Sequence, residues 1–400
     1  MKKLFIVLVI GMISKVGAQA PALAVADSLY ATGEYTKAIA QYEKIQEPTA
    51  RIWLQIARAY KGKGAKTAAL NFYKKSLELN DKQPIAATEY GRLLLTKSKF
   101  KEADSVFSIL STRYPTNAEY HYQWGRALKK TAVKDTLVLG KKVDNEKIDT
   151  SEKAFAKAVQ LDSTHQKAMF ELAKYHLGHK NYPEVEAICK KALESEPENI
   201  EIIGVLAQNY YYKGWWIEAI DLFNQLLDMG VDTLFVRNKL GRAYYEKRMY
   251  PEAIEAYEEV LAYDDEDWGT LITLARLYNF NREYNKAINH GIKALKSKDL
   301  PLDDVYYTMG RSFEFKKNFP EAMKHYQRAV KEDPYNFDAL YAIAVAADNY
   351  YEDKEEVLAL YEKFVSNFEN VKRPPYIKRI ADDRIVILKR EIFEAQEKKE

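Results

Sequence analysis

An all-α array of repeated helix pairs is the fold this sequence predicts, and three observations predict it. Small residues recur at a nearly constant interval, apolar residues follow helical rather than strand spacing, and Gly, Lys or Asn punctuates the middle of each unit. The small residues are Ala26, Ala57, Gly91, Gly125, Ala173, Ala207, Gly241, Ala275, Gly310 and Ala344, separated by 31, 34, 34, 48, 34, 34, 34, 35 and 34 positions. Four hundred residues with 47% hydrophobic content are ample for a sizeable core. A repeat array spreads that core along the chain instead of gathering it into two or three globular domains.

The first twenty residues, MKKLFIVLVIGMISKVGAQA, set Lys2 and Lys3 before an apolar run from Leu4 to Ile13 and end in small residues. That is the layout of a secretory signal peptide, and the apolar run is short for a bilayer span. Small-x-small cleavage fits after Ala18 or after Ala20. A cut after Ala20 would leave Pro21 at the cleaved bond, which favours residues 1–18 as the signal; an uncleaved N-terminal anchor is the alternative. The expectation is an exported chain in the periplasm of a Gram-negative bacterium, with no integral membrane span once the signal is removed. No cysteine near the cleavage point offers a lipid attachment site, and the single cysteine, Cys189, precludes an intramolecular disulfide. Without Lys2, Lys3 and Lys15 the 61 cations fall to 58 and match the 58 acids. A formally neutral chain argues against a general nucleic-acid binder.

Each copy then reads as two amphipathic stretches split by a turn. In the seventh, Leu240, Gly241 and Tyr244 share one helix face, and Ala253, Tyr257 and Val260 share one face of the next helix. The Gly or Ala is needed because two helices approach closely only where a side chain is nearly absent. Large rings at a later fixed place (Tyr42, Tyr73, Phe107, Phe155, Phe223, Tyr257, Tyr326 and Tyr361) fill the space between helices, which gives many of the 30 tyrosines a packing role. One helix pair cannot bury its own apolar face, so stacking of successive pairs is required.

The pattern resembles the tetratricopeptide repeat family, whose consensus is W-x2-L-G-x2-Y, then A-x3-F, then P. Leu240-Gly241, Tyr244, Ala253 and Tyr257 match most of it; Met309-Gly310, Phe313, Ala322, Tyr326, Ala329 and Pro334 add the ending. The resemblance covers roughly residues 22–366. It implies a right-handed superhelical solenoid of about ten helix pairs and a non-enzymatic role in binding proteins or peptides along a concave groove lined by the first helices.

Three departures from the period stand out. The long spacing between Gly125 and Ala173 places an insertion near residues 131–149, at the turn of the fourth copy, either as a small hairpin that includes TLVLG, as a lengthened turn or as an extension of both helices. Copies five and eight carry Cys189 and Gly291 at the ring position. Residues 367–400 follow the array, and Ile377, Ile380, Ile385, Leu388 and Ile392 form an apolar stripe expected to seal the last copy as a capping helix. A partner-binding helix is the alternative there.

No catalytic constellation emerges. YKGKGAKTA, residues 60–68, imitates a phosphate loop, but Ala65 separates Gly64 from Lys66 and the segment joins two helices rather than following a strand. His176 and His179 lie three apart on a helix with no further ligand in the neighbouring sequence to complete a metal set. Cys189 takes the place of a core ring, which fits a small buried hydrophobe better than a nucleophile. No cofactor is expected.

With the small residue numbered position 8, position 9 reads Asp27, Arg58, Arg92, Arg126, Lys174, Gln208, Arg242, Arg276, Arg311 and Val345, seven of them basic. At about 100° per residue, position 9 turns away from the apolar face and shares a side with positions 2, 5 and 12. The resemblance makes that side the concave one. Copies two to five show Arg51, Arg58, Lys61, Arg92, Arg126, Lys129, Lys167 and Lys174 there, against one acid, Glu119. Copies six to ten are mixed, with Glu201, Asp304, Glu314, Asp338 and Asp348 among the cations. The candidate partner-binding residues are therefore Arg58, Arg92, Arg126, Lys174, Tyr122, Phe170, Tyr211, Arg242, Tyr245, Arg276 and Arg311. A basic, ring-studded groove suits a peptide carrying acids; the competing reading is solvated filler neutralised by nearby carboxylates. The Lys at position 5 with Asn at position 9 by which some family members grip a C-terminal carboxylate is absent. The function expected is an adaptor or scaffold of the cell envelope. The alternative is a structural subunit of a permanent envelope complex, held through the insertion, the convex face or the C-terminal helix.

Overall fold

The computed structural model describes residues 21–139, 145–296, 302–368 and 376–397; the expected signal peptide, the middle of the insertion (140–144) and residues 297–301, 369–375 and 398–400 lie outside them. Among the described residues there is no strand, and no helix is long and apolar enough to cross a membrane. The chain divides at Val205–Leu206 into two compact units.

The first unit holds α1 (21–31), α2 (Tyr35–Tyr42), α3 (Ala50–Gly62), α4 (Lys66–Leu79), α5 (Pro84–Thr96), α6 (Phe100–Arg113), α7 (Ala118–Leu139), α8 (Asn145–Leu161), α9 (Gln166–Gly178) and α10 (Tyr182–Ser195). The division falls inside α11 (Ile200–Lys213). The second unit continues with α12 (Trp216–Asp228), α13 (Leu234–Glu246), α14 (Tyr250–Tyr263), α15 (Trp268–Phe280), α16 (Tyr284–Lys296), α17 (Asp303–Phe315), α18 (Phe319–Glu332), α19 (Phe337–Asp348), α20 (Lys354–Ser366) and α21 (Tyr376–Glu397). Odd-numbered helices up to α19 are the first helices of the ten copies, and even-numbered ones the second. Successive helices from α2 to α10 and from α12 to α21 pack on one another, and the first helices α5 and α7, and α15 and α17, also touch directly.

The ten small residues are all buried, and the ring packing of each copy explains why. A Cβ added to Gly91 would lie 2.7 Å from Phe107, one on Gly125 2.7 Å from Phe155, and one on Gly241 2.8 Å from Tyr257. The partner ring comes from the second helix of the same copy, so the small residue is the socket in which it seats. Tyr42, Tyr73, Phe107, Phe155, Phe223, Tyr257, Tyr326 and Tyr361 are each buried. Copy eight keeps the contact with the roles shifted along the chain: a Cβ on Gly291 would sit 2.6 Å from Met309 of the next copy. In copy five Cys189 is fully enclosed, and burial pushes its thiol up to about 12, so it stays protonated and inert at neutral pH.

The turn between the two helices is as regular as the core. Its left-handed residue falls at position 15 of the copy, at Gly33, Gly64 and Gly214 but also at Ser98, Lys180, Arg248, Arg282 and Lys317, whose φ values run from 56 to 63°. The side-chain-bearing residues hold a conformation that costs about 1–2 kcal/mol relative to ordinary backbone regions. Gly64 belongs to Lys63–Ala65 between α3 and α4, so the phosphate-loop imitation is an inter-helix turn.

In the fourth copy α7 and α8 are 22 and 17 residues long against 13 and 14 in a neighbour such as copy two, so the additional residues extend both helices. Residues 136–139, the start of TLVLG, continue α7 as helix and form no hairpin arm. At the other end α21 packs on α20. Ala381 and Leu388 are buried there, with Ile377 and Ile385 partly buried beside them. Ile380, expected in that stripe, is 39% exposed instead; Ala381, one position on, occupies the contact because it lets the helices come closer. Arg384 clasps Asp348 of α19 with two hydrogen bonds of 2.6 and 2.8 Å, fixing α21 against the tenth copy.

Candidate functional site

In copies two and three position 9 of the first helix turns away from the ring-and-socket core and meets a carboxylate of the following copy, whereas Val345, position 9 of copy ten, packs against the core. Arg58 on α3 grips Glu89 on α5 through Nε at 3.0 Å and Nη2 at 2.7 Å, while the Tyr73 hydroxyl donates to the same carboxylate at 2.8 Å. Burial alone would raise the Glu89 pKa, but Arg58 and Tyr73 outweigh it and hold the carboxyl below its ordinary range. Arg92 on α5 donates to Glu119 on α7 at 2.6 Å. Lys129 on α7 does the same to Glu171 on α9 at 2.6 Å.

Glu119 is the junction of three copies. It accepts from Arg92, from Gln123 at 2.6 Å and from His165 Nε2 at 3.3 Å. His165 caps α9, its Nδ1 accepting from the Ala168 N–H, so the proton sits on Nε2 and points at the carboxylate. Burial works against the charge on Glu119, yet these donors bring its pKa down to about 2. The same bond is the main cause that raises the His165 pKa.

In copies two to five the sequence placed one acid, Glu119, on this face; the structure adds Glu89 and Glu171. Both stand at position 6, only about 60° around the helix from position 9, and long Arg and Lys stems cross that angle. The arginines that follow the small residues in copies two and three are thus links between neighbouring copies.

Arg126 and Lys174 differ, because among the described residues neither pairs with a carboxylate. Arg126 hydrogen-bonds Gln123 at 2.9 Å and lies 5.7 Å over the Tyr122 ring; Lys174 stands 4.9 Å over Phe170. Each is a cation seated on a ring one turn earlier in its own helix, a weak but recurrent attraction.

In the second unit Tyr211 packs edge-on against Trp216 and Phe223 and carries Lys239 at 4.2 Å. Arg242 pairs within its helix with Glu246 at 2.5 Å and covers Tyr245 at 5.2 Å. Arg276 on α15 reaches Asp304 on α17 at 2.9 Å. Arg311 has a looser set: the Tyr307 hydroxyl at 3.3 Å, Glu314 at 3.9 Å and the Phe315 ring at 4.8 Å. Tyr245, Arg276 and Arg311 converge on one cavity of about 340 Å³. Asn279 joins them there and was missed in the sequence; its signal is a polar residue at position 12 inside the apolar run of α15.

Among the described residues no group of three or more His, Cys, Asp or Glu side chains could hold a metal ion. His179 instead bonds the Tyr175 carbonyl at 2.9 Å and stacks near its ring.

Three segments match family models described as tetratricopeptide repeat: residues 50–83, 235–267 and 303–336, which are copies two, seven and nine. No curated protein matches the chain. Among solved structures, it is similar to YrrB, described as a TPR protein with an unusual peptide-binding site, at 18% identity over 48% of this chain and 98% of that one, with a TM-score of 0.44. It is also similar to yeast Tom70 (14% identity, 94% of this chain and 96% of that one, TM-score 0.38) and to MamA of Desulfovibrio magneticus RS-1 (18%, 45% and 96%, 0.39).

Proposed function

Starting from a chain built of tetratricopeptide repeats, we propose that it is a non-enzymatic protein-interaction scaffold that holds a peptide or protein segment against its first-helix face. The observation that carries this reading is the recurrence of cation-on-ring pairs on that face: Arg126 on Tyr122, Lys174 on Phe170, Arg242 on Tyr245 and Arg311 on Phe315. Each offers a flat apolar surface beside a charged donor, the combination that gives protein partners contact area and a directional hydrogen bond together. The linked arginines, Arg58 and Arg92, serve the array itself, so the partner is read by the unlinked cations and the rings. The lysines and apolar run of the N-terminal segment support a role for this scaffold outside the cytoplasm, in the bacterial envelope.

The test is a pulldown from an envelope fraction with wild type and an Arg126→Glu, Lys174→Glu variant whose fold is checked by circular dichroism. Loss of a wild-type partner from the folded variant supports the reading; an unchanged set of partners removes these residues from the interface. A second reading, a subunit anchored by its last helix, is favoured by one observation: Tyr376, Val386, Ile387 and Phe393 of α21 stand exposed. Deleting residues 376–397 then removes the partner while the cation substitutions do not.

A further inference from the structure

We infer that the cavity walled by α13, α15 and α17 is a recognition pocket for an acidic residue flanked by a large apolar one in an extended partner segment. The inference deepens the scaffold reading and rests on it. At about 340 Å³ the cavity lies near the lower end of the range of ligand sites, about 300–1,000 Å³. Its apolar wall is aromatic, with Tyr245 meeting Phe280 edge-on at 5.9 Å and Tyr307 and Phe315 facing from α17.

Its charged groups are incompletely engaged. Arg276 has only the Asp304 pair, in which both side chains are about half exposed, and such pairs are weak and readily exchanged. Arg311 is poorer still. Its Nε is buried with no hydrogen-bond partner, and Glu314, the nearest acid, already accepts from the Tyr326 hydroxyl. An unpaired guanidinium N–H in apolar surroundings is the costly case, and a carboxylate is the acceptor that relieves it best.

Asn279 supplies the independent observation. It is only 7% exposed, and its Nδ2 donates to the Thr308 carbonyl at 3.1 Å, which fixes the amide orientation. Its Oδ1 lines up as an acceptor with nothing to accept from. A carboxylate has no proton to give it, whereas the backbone N–H of a peptide does. The cavity therefore asks for a guest that brings an anion for the guanidinium groups, a donor for Asn279 and apolar bulk for the rings. A peptide with Asp or Glu beside Phe, Leu or Trp brings all three. Both unmet atoms are shielded from water, so the guest reaches them by lifting the partly exposed Arg311 head from Phe315.

The probe is an array of random octapeptides, acetylated and amidated so that neither terminus contributes charge, incubated with the full chain. Captured sequences are then titrated in solution by fluorescence anisotropy. The expected result is enrichment of an acid next to a large apolar residue, with affinity falling roughly tenfold or more in Arg311→Gln and in Arg276→Gln. Lys324→Gln, on the exposed side of α18, leaves it unchanged. Circular dichroism precedes each titration, and if Arg311→Gln fails to fold, the more exposed Arg276→Gln decides. Captured peptides without an acid, or affinity equal in wild type and the folded Arg variants, overturn the pocket while leaving the scaffold standing. Capture of no peptide at all overturns both.

Discussion

Copies two and three and copies eight and nine use the same core and the same arginine position for different ends. In the first group the cation closes on a carboxylate of the next copy, as in Arg58–Glu89 and Arg92–Glu119. In the second the cations line a cavity, and Arg311 keeps a nitrogen with no acceptor. The difference lies not in the arginine but in the acid that the following copy holds within its reach. Copy three offers Glu89 and copy four Glu119, whereas copy nine offers Arg276 only the half-exposed Asp304 and, among the described residues, Arg311 pairs with no carboxylate of copy ten. A repeat can thus spend one conserved-looking position on cohesion in one place and on recognition in another.

The largest effect should be common to both units, and finding it unequal would break the comparison at its base. Phe107→Ala in the first unit and Phe223→Ala in the second each empty a ring socket and should each cost about 3–5 kcal/mol in urea denaturation. The face is where the units should part. Glu89→Gln strands Arg58 and should cost about 1–3 kcal/mol, while Arg311→Gln should change stability by less than about 0.5 kcal/mol because no strong partner is lost.

Acid sharpens the contrast further. The Glu119 carboxyl, ordinarily near 4.5, is lowered to about 2 in the folded chain. A depressed pKa stabilises the fold above the unfolded value and is lost on protonation, so the contribution disappears as pH falls from about 4.5 toward 2. The melting temperature should drop across that window and Glu119→Gln should flatten the drop; an identical slope in the variant would remove Glu119 from the inter-copy link. His165 acts with the opposite sign. Its raised pKa adds stability that is present below its ordinary value of 6.5 and fades as pH rises through the folded value.

The smallest effect returns to what the units share. Lys180→Gly and Arg248→Gly relieve a left-handed backbone at some cost in unfolded-chain entropy, and each should raise stability by about 0.5–1 kcal/mol by urea denaturation.

Most of the fold was legible because its determinants are periodic. The sockets and rings recur at fixed places, and Gly91, Gly125, Gly241 and Gly310 announce rings that lie too close for a Cβ. The face was less legible because it depends on reach across copies. Glu89 and Glu171 sit at a position that helical geometry sets beside the face rather than on it, and only a side chain as long as Arg or Lys brings them in. Asn279 looked like one polar residue in an apolar run; its meaning comes from Thr308, 29 positions away. Ile380 and Ala381 changed places because close packing favours the smaller neighbour.

The central claim is that the position-9 cation binds the array together in copies two and three and is held open in copy nine. Two double-mutant cycles in urea test it most directly, one on Arg58→Gln with Glu89→Gln and one on Arg311→Gln with Glu314→Gln. The account predicts a coupling of about 1 kcal/mol or more in the first cycle and less than about 0.3 kcal/mol in the second. Equal couplings, or none between Arg58 and Glu89, would contradict it.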